Sequence, residues 1–343
     1  MPEIRIDPLS GQRVILAADR AGRPGGGPAC APPAPIDRDA DPFAPGHEER
    51  TPPELHAVRP AGGEPDGPGW SVRVVPNLYP ALTPPEGSAD ATAATATATG
   101  PARGQSPHSA HLDLFSAMPA TGAHEVIVNA PDSVTSLADL PLEQVCACMA
   151  VWRERIAVHG DSAYVQLIVN ERLEAGASLP HTHAQLYAFG FVPADIARER
   201  ERFGAHYNRT QGQNLLGDLI AEEVRIGDRL VALDDEAVLI APYASRVPYQ
   251  LMLAPRTPRA RFEEPGPLCA ALLHDGLRRL ARLLGASPPL NIFLRNAPAG
   301  AEHFCWHIDV MPRLTHLAGL ELSTGLALNI VAPEHAAAML REA

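Results

Sequence analysis

The stretch Gly176-Ala-Ser178-Leu-Pro-His181-Thr-His183-Ala-Gln185-Leu-Tyr187 holds the residues best suited to chemistry. On a strand alternate residues share a face, so His181, His183 and Gln185 are expected to point the same way. Two imidazoles and a carboxamide on one face, flanked by Leu186 and Phe189, make an expensive core unless every polar atom finds a partner. The set suits attack on phosphorus. A neutral imidazole can act as the nucleophile and hold the transferred group as a phosphoramidate, splitting one displacement into two. Its other nitrogen must then donate to an acceptor, so that the attacking nitrogen keeps its lone pair. The glycine and serine just before the motif can offer backbone and hydroxyl donors to phosphate oxygens.

Such a motif needs strands to hold it, and the chain supplies them in a repeating order. QRVILAA from Gln12 reads as a strand, followed by a Pro/Gly-rich loop over 23–35 and a turn-rich stretch over 41–54. Residues 70–82, WSVRVVPNLYPAL, alternate and are rich in β-branched residues, which predicts a strand. Residues 83–112, with the run ATAATATATG, lack the large apolar groups that offset ordering entropy and read as a disordered or loose loop. HEVIVNAP is a strand, 140–160 has helical spacing, and 163–171 and HTHAQLYAFGFVP are strands. A charged helical connector covers 198–209. In the second half, RLVALDDEAVLIAPY reads as a hairpin around Asp234 and Asp235, PYQLMLAP as a strand and 269–285 as a helix. LNIFLRNAP and HFCWHIDVMP then read as strands. Strand–strand–helix–strand–strand thus occurs twice, near 120–195 and 229–315, which predicts two copies of one α+β module. The expected domains are 1–195, carrying the nucleophile, and 196–343.

Composition narrows the function classes. The chain has 343 residues, 45% of them hydrophobic and 20% charged, enough apolar material for a core. The net charge of −12 argues against a nucleic-acid or anionic-membrane binder. No segment has the roughly 20 apolar residues of a membrane span, and the N-terminus lacks the apolar run of a secretory signal. All 28 basic residues are arginine, so no lysine is present to form a Schiff base or serve as a P-loop cation. The five cysteines, Cys30, Cys146, Cys148, Cys269 and Cys305, are odd in number and do not have disulfide spacing. A reducing cytoplasm is the expected location.

The motif resembles the histidine-triad superfamily, and within it the galactose-1-phosphate uridylyltransferase family, which carries His-x-His-x-Gln and two tandem triad-like domains. RIDPLSGQRVILAADRAGRP resembles the opening of that family, and DPFAPGHEERTPPE its Cys-Pro-Phe-Cys-Pro-Gly-x-Glu segment. RVVPNLYPAL resembles its base-contacting strand. MPATGAHEVIVNAPD, NERLEAGASLPHTHAQ and HFCWHIDVMPRLTHLAGLELSTG have counterparts as well. The resemblance implies that His183 is the nucleophile, that Gln185 bonds the phosphoryl oxygens, and that Ser178 and Asn170 contact the donor phosphates. It puts Arg20 and Arg23 near the phosphates and Asn77 beside base or ribose. His307 and Glu321, with Ser323 and Thr324, would contribute to a sugar-phosphate pocket, across a homodimer as in the family.

The departures from the family pattern concern metals and the base. In many members a structural zinc is held by a Cys-x-x-Cys pair, a later histidine and the first histidine of the triad motif. Here the corresponding positions hold Asp41, Ala44 and Ser133, leaving only His181. A tetrahedral zinc site needs four ligands, and His47 reads as a loop histidine. A second Cys-x-x-Cys in some relatives corresponds to Asn214-Leu-Leu-Gly217, so His307 and its neighbour His303 lack partners. The expectation is a metal-free member needing no cofactor. Leu78 stands where uridylyl enzymes often carry an acid, which leaves the base open between uridine and adenine. The implied function is ping-pong transfer of a nucleoside monophosphate between a nucleoside-diphosphate sugar and a sugar 1-phosphate. A phosphorylase or hydrolase of the same superfamily, or a catalytically idle nucleotide-binding protein, are the alternatives.

Overall fold

The computed structural model describes residues 2–22, 30–84, 115 and 117–343. Arg23 and nearly all of the low-complexity stretch 83–112 lie outside the described residues. In chain order the strands are β1 (Glu3–Ile6), β2 (Arg13–Leu16), β3 (His56–Val58), β4 (Val72–Pro76), β5 (Gly122–Val128), β6 (Tyr164–Glu171) and β7 (His183–Phe189). They continue as β8 (Leu230–Leu233), β9 (Ala237–Ile240), β10 (Leu251–Pro255), β11 (Leu290–Arg295), β12 (His307–Pro312) and β13 (Ala327–Asn329). The helices are α1 (Leu142–Val158), α2 (Ala194–Thr210), α3 (Leu215–Ile226), α4 (Ala270–Leu284), α5 (Gly319–Thr324) and α6 (Pro333–Glu342).

Ten strands form one sheet in the order β3-β4-β5-β7-β6-β11-β12-β10-β9-β8, while β1, β2 and β13 form a small second sheet. Read outwards from the centre, the halves have the same order: β6-β7-β5-β4-β3 and β11-β12-β10-β9-β8. Helix α1 precedes β6 as α4 precedes β11. The repeated unit therefore carries three strands before its helix, one more than the sequence reading. The strands of each half are antiparallel, and the two halves join in one continuous sheet because β6 and β11 pair antiparallel from Leu290↔Glu171 to Leu294↔Leu167. Pairing these strands removes two exposed edges and lets Leu167, Val169, Leu290, Ile292 and Leu294 join a single core.

That core lies on the inner face, where Val145, Met149, Trp152 and Ile156 of α1 and Leu273, Leu277 and Leu280 of α4 cover the strands. The outer face is covered unequally. In the second half Phe203 of α2 and Leu216 and Ile220 of α3 cover Val238, Ile240, Met252 and Ala254. In the first half, among the described residues, Phe43, Trp70 and Leu179 pack with Val75, Val126 and Val128. The outer row of β7 consequently stays half-buried at Gln185, Tyr187 and Phe189. Gly122 opens β5 at φ +152, and a Cβ there would lie 2.1 Å from the Ala188 carbonyl oxygen. Only glycine lets the two strands meet at this point. All five cysteines are free. Among the described residues no helix is long and apolar enough to cross a membrane.

Candidate active site

His183 begins β7 with its Nδ1 2.8 Å from the His181 carbonyl oxygen. A carbonyl only accepts, so Nδ1 carries the proton and Nε2 the lone pair. The residue is 4% exposed. Burial, reinforced by the charge on His181, holds its pKa below the ordinary histidine value and keeps the ring neutral. Among the described residues Nε2 has no protein partner, and Phe43 approaches the ring edge-on at 5.3 Å between centroids. These are the attributes of a nucleophilic imidazole.

His181 precedes the strand and is fully buried. Its Nδ1 lies 2.7 Å from Asp41 Oδ2 and its Nε2 2.8 Å from the Ala130 carbonyl oxygen. Each ring nitrogen thus faces an acceptor. Ser133 Oγ donates to the same Asp41 oxygen at 2.9 Å, and the Phe43 N–H donates to Asp41 Oδ1 at 3.0 Å. Burial alone would raise the Asp41 pKa, but the bonds from His181, Phe43 and Ser133 outweigh it and hold the carboxyl below its ordinary value. Asp41, Ser133 and His181, three of the positions that the resemblance assigned to zinc ligands, are thus joined directly to one another. Both His181 nitrogens are spent and His47 Nδ1 bonds the Asp41 carbonyl oxygen at 2.7 Å, so this donor set does not fit a zinc ion. At the second family site Asn214 caps α3 by accepting from the Gly217 N–H at 3.0 Å. A Cβ on Gly217 would meet Pro258 Cγ at 2.9 Å. Among the described residues no group of three or more His, Cys, Asp or Glu is placed to hold a metal.

Gln185 lies two residues beyond His183 on the same row. Its Oε1 accepts from the Tyr187 hydroxyl at 2.8 Å and lies 3.0 Å from His124 Nε2. His124 stands opposite Tyr187 in the β5–β7 ladder, and the two rings stack at 4.1 Å. Asn77 joins this cluster: its Oδ1 accepts from the Tyr79 N–H at 2.8 Å and its Nδ2 is 3.1 Å from His124 Nε2. A cleft of about 550 Å3 opens beside it, walled by Leu78, Pro80, Leu82 and Phe189 as well as by Asn77 and His124.

Asn170, near the end of β6, accepts at Oδ1 from Asn291 Nδ2 at 2.8 Å, which leaves its own NH2 to donate. Asn291 also donates to the Ala175 carbonyl oxygen at 2.7 Å, pinning the turn before the motif. Gly176 has φ +90 in that turn, and Ser178 after it is exposed. Arg20 is exposed on the short 3-10 turn Ala18–Gly22 with no side-chain bond among the described residues.

His307 and Glu321 are placed away from this group. His307 Nδ1 faces the Cys305 carbonyl oxygen at 3.2 Å, the same two-residue device that holds His183. Asp309 follows His307 as Gln185 follows His183. The repeat therefore extends to the site itself, but β12 is three strands from β7, roughly 14 Å at 4.8 Å per strand. The cavity at His307 measures about 40 Å3 and is shared with Glu199, Arg295 and Asp309. Such a space holds about three waters. Burial would lower the Arg295 pKa, but Glu199 and Asp309 outweigh it and hold the guanidinium above its ordinary value. Glu321 is half-buried on α5, where its Oε2 accepts from the Ala318 N–H at 3.0 Å. Ser323 and Thr324 are exposed, and their hydroxyls donate to the Leu320 carbonyl oxygen. The sequence reading overlooked Asp41 as a partner of His181, Asn291 as the anchor of Asn170, and His124 and Tyr187 as partners of Gln185. Strand alternation already put Tyr187 on the Gln185 face; His124 needed the ladder register.

The family described as galactose-1-phosphate uridyl transferase, N-terminal domain, matches residues 1–193. An ADP-glucose phosphorylase of Arabidopsis thaliana is 27% identical over 364 residues, spanning 99% of this chain and 93% of that protein. A galactose-1-phosphate uridylyltransferase of Rattus norvegicus is 28% identical over 359 residues, spanning 98% and 86%. The crystal structure of the Arabidopsis thaliana ADP-glucose phosphorylase with bound ADP-glucose shares the fold, with a TM-score of 0.76 at 24% identity over 100% of this chain and 99% of that one. A solved uridylyltransferase aligns with a TM-score of 0.70 at 25% identity, covering 100% and 98%.

Proposed function

The chain belongs to the galactose-1-phosphate uridyl transferase family, and from that premise we propose that it transfers a nucleoside monophosphate from a nucleoside-diphosphate sugar through a covalent adduct on His183. One observation carries this reading: the His183 Nδ1–H is held by the His181 carbonyl, which leaves the Nε2 lone pair for attack. Nε2 bonds to the α-phosphorus, the bond to the sugar 1-phosphate oxygen breaks, and sugar 1-phosphate leaves. The ring then carries positive charge with its Nδ1 proton still in place, and the His181 carbonyl dipole stabilises that charge. A second sugar 1-phosphate attacks the adduct, breaks the P–N bond and restores neutral His183. The donors of Gln185, Asn170 and Ser178 suit the phosphoryl oxygens, and the cleft beside Asn77 and Leu78 suits the base.

No step runs through a metal, and the reading is of a protein that keeps no zinc or iron. The Asp41–His181–Ser133 cluster supports this, since it uses the lone pairs and protons a metal would compete for. A homodimer completed by the segment around Glu321 remains part of the reading, and the exposed Leu317, Leu320 and Leu322 are compatible with a partner surface there.

A second acceptor is favoured by a specific observation. The 27% identity to an ADP-glucose phosphorylase extends over 99% of the chain, which supports an adenylyl donor with inorganic phosphate as acceptor. The test is intact-mass spectrometry after mixing with ADP-glucose or UDP-glucose, then with glucose 1-phosphate or inorganic phosphate. The donor that leaves a nucleotidyl mass increment identifies the base. The acceptor that discharges it identifies the reaction. No increment with either donor contradicts the covalent mechanism.

A further inference from the structure

Gln185 can serve a phosphoryl oxygen only if its NH2, and not its carbonyl oxygen, faces the site. The Ala81 backbone N–H, acting through the His124 ring, decides which end faces outward. The Ala81 backbone N–H, which can only donate, lies 3.1 Å from His124 Nδ1. Nδ1 must therefore be the unprotonated nitrogen, and the ring proton sits on Nε2. Burial holds the His124 pKa below its ordinary value, in keeping with a neutral ring. The Nε2–H then donates to Gln185 Oε1 at 3.0 Å. The Tyr187 hydroxyl donates to the same oxygen at 2.8 Å. The opposite tautomer would set Nδ1–H against the Ala81 N–H and an Nε2 lone pair against Gln185 Oε1. Its gain would be a bond from Asn77 Nδ2, which in the assigned tautomer is a second donor 3.1 Å from Nε2, one unfavourable contact against the two that the opposite tautomer makes. With Oε1 engaged twice, the NH2 of Gln185 is the end without a partner among the described residues.

We propose that His124 and Tyr187 are positioning residues for the transfer, and that they hold the Gln185 amide with its NH2 toward the phosphoryl group in a direction set by the Ala81 backbone N–H. The inference rests on the nucleotidyl-transfer reading above. It concerns two aromatic side chains that need touch no reacting atom. A carboxamide free to rotate would present its oxygen to an anionic phosphate half the time and would have to reorganise during the reaction. Fixing it beforehand removes that reorganisation.

The test is a double-mutant cycle on the single-turnover rate of nucleotidyl-His183 formation, with ADP-glucose and UDP-glucose as donors. Tyr187→Phe and His124→Leu should each slow adduct formation about 10- to 100-fold with little change in donor affinity. His124→Gln, which can still donate near the Nε2 position, should recover most of the rate. In a Gln185→Ala background neither Tyr187→Phe nor His124→Leu should slow the reaction further, because both act through Gln185. Independent effects in that background, or wild-type rates in the single variants, overturn the proposal while leaving the transfer reading intact. Absence of any adduct in the wild-type protein overturns the reading and the proposal together. The tautomer is read without turnover from imidazole 15N shifts of histidine-labelled protein, with the His124 signal assigned by its loss in His124→Gln. An Nε2–H, Nδ1-unprotonated pattern is expected, and a protonated Nδ1 overturns the proposal.

Discussion

Gln185 offers an amide donor where charge moves onto phosphoryl oxygens, so its contribution grows between ground state and transition state. Removing one such donor typically costs about 2.7–4 kcal/mol, or about 100- to 1000-fold in rate. Gln185→Ala should lower kcat by that factor while donor affinity changes little, measured by steady-state kinetics and equilibrium binding. Asp41 acts at one remove, since its carboxylate fixes His181, whose carbonyl holds His183. Asp41→Ala leaves the buried His181 Nδ1 without its carboxylate partner, and a buried donor left unsatisfied costs about 1–3 kcal/mol. Urea unfolding should show that loss. The folded-state pKa of Asp41 lies below its unfolded value. The stability it contributes is therefore present above the unfolded pKa and disappears as pH falls through the folded one. At this scale the His-x-His-x-Gln spacing was legible because alternation on one strand is a local signal. His124 was not, because its bond to Gln185 spans 61 residues and depends on strand register. Asp41 read only as a missing cysteine, although the same carboxylate forms the bond that joins the cluster.

The strands that carry the site were visible in the alternation of HEVIV and HTHAQLYAF, and the two long helices in their apolar spacing. Strands β1, β3 and β13 are three or four residues long, too short for a periodic signal, and β3 begins just after the turn-rich stretch. Helix α3 follows the linker helix after only four residues, its start marked by the Asn214 cap. At the end of β6, Glu171 ties the first half together by accepting from Ser136 Oγ at 2.6 Å and the Leu137 N–H at 2.8 Å. Burial, with a smaller push from Asp139, raises its pKa to about 7, against about 4.3 for an unfolded glutamate. The folded chain therefore holds this proton more tightly than the unfolded chain, and stability falls as pH rises from about 4.3 through about 7. Glu171→Gln should flatten that part of the profile, followed as melting temperature against pH. A slope unchanged in the variant would assign it to other groups.

In the whole molecule the two repeats face the same way on one sheet, yet in the first the row beside His183 stays half-buried at Gln185, Tyr187 and Phe189. Helices α2 and α3 cover the second, and a 40 Å3 cavity is what remains around His307. The repeat was legible from the order of elements. The fusion of its halves was not, since nothing local in β6 or β11 specifies its neighbour. Direct hydrogen bonds among Asp41, Ser133 and His181 predict that prolonged dialysis against a chelator leaves the melting temperature unchanged and that elemental analysis finds no stoichiometric zinc or iron, as expected where no metal-binding energy supports the fold. One metal per chain surviving dialysis would contradict this. The central claim, that His183 carries the nucleotidyl group, is tested most directly by intact-mass spectrometry of the wild-type protein and His183→Asn after mixing with ADP-glucose and with UDP-glucose. The account predicts a single nucleoside-monophosphate increment on the wild type with one of these donors, mapped by peptide fragmentation to His183, and none on the folded variant. An increment of the same size on His183→Asn, or a wild-type protein that turns over donor with no increment at any time, would contradict it.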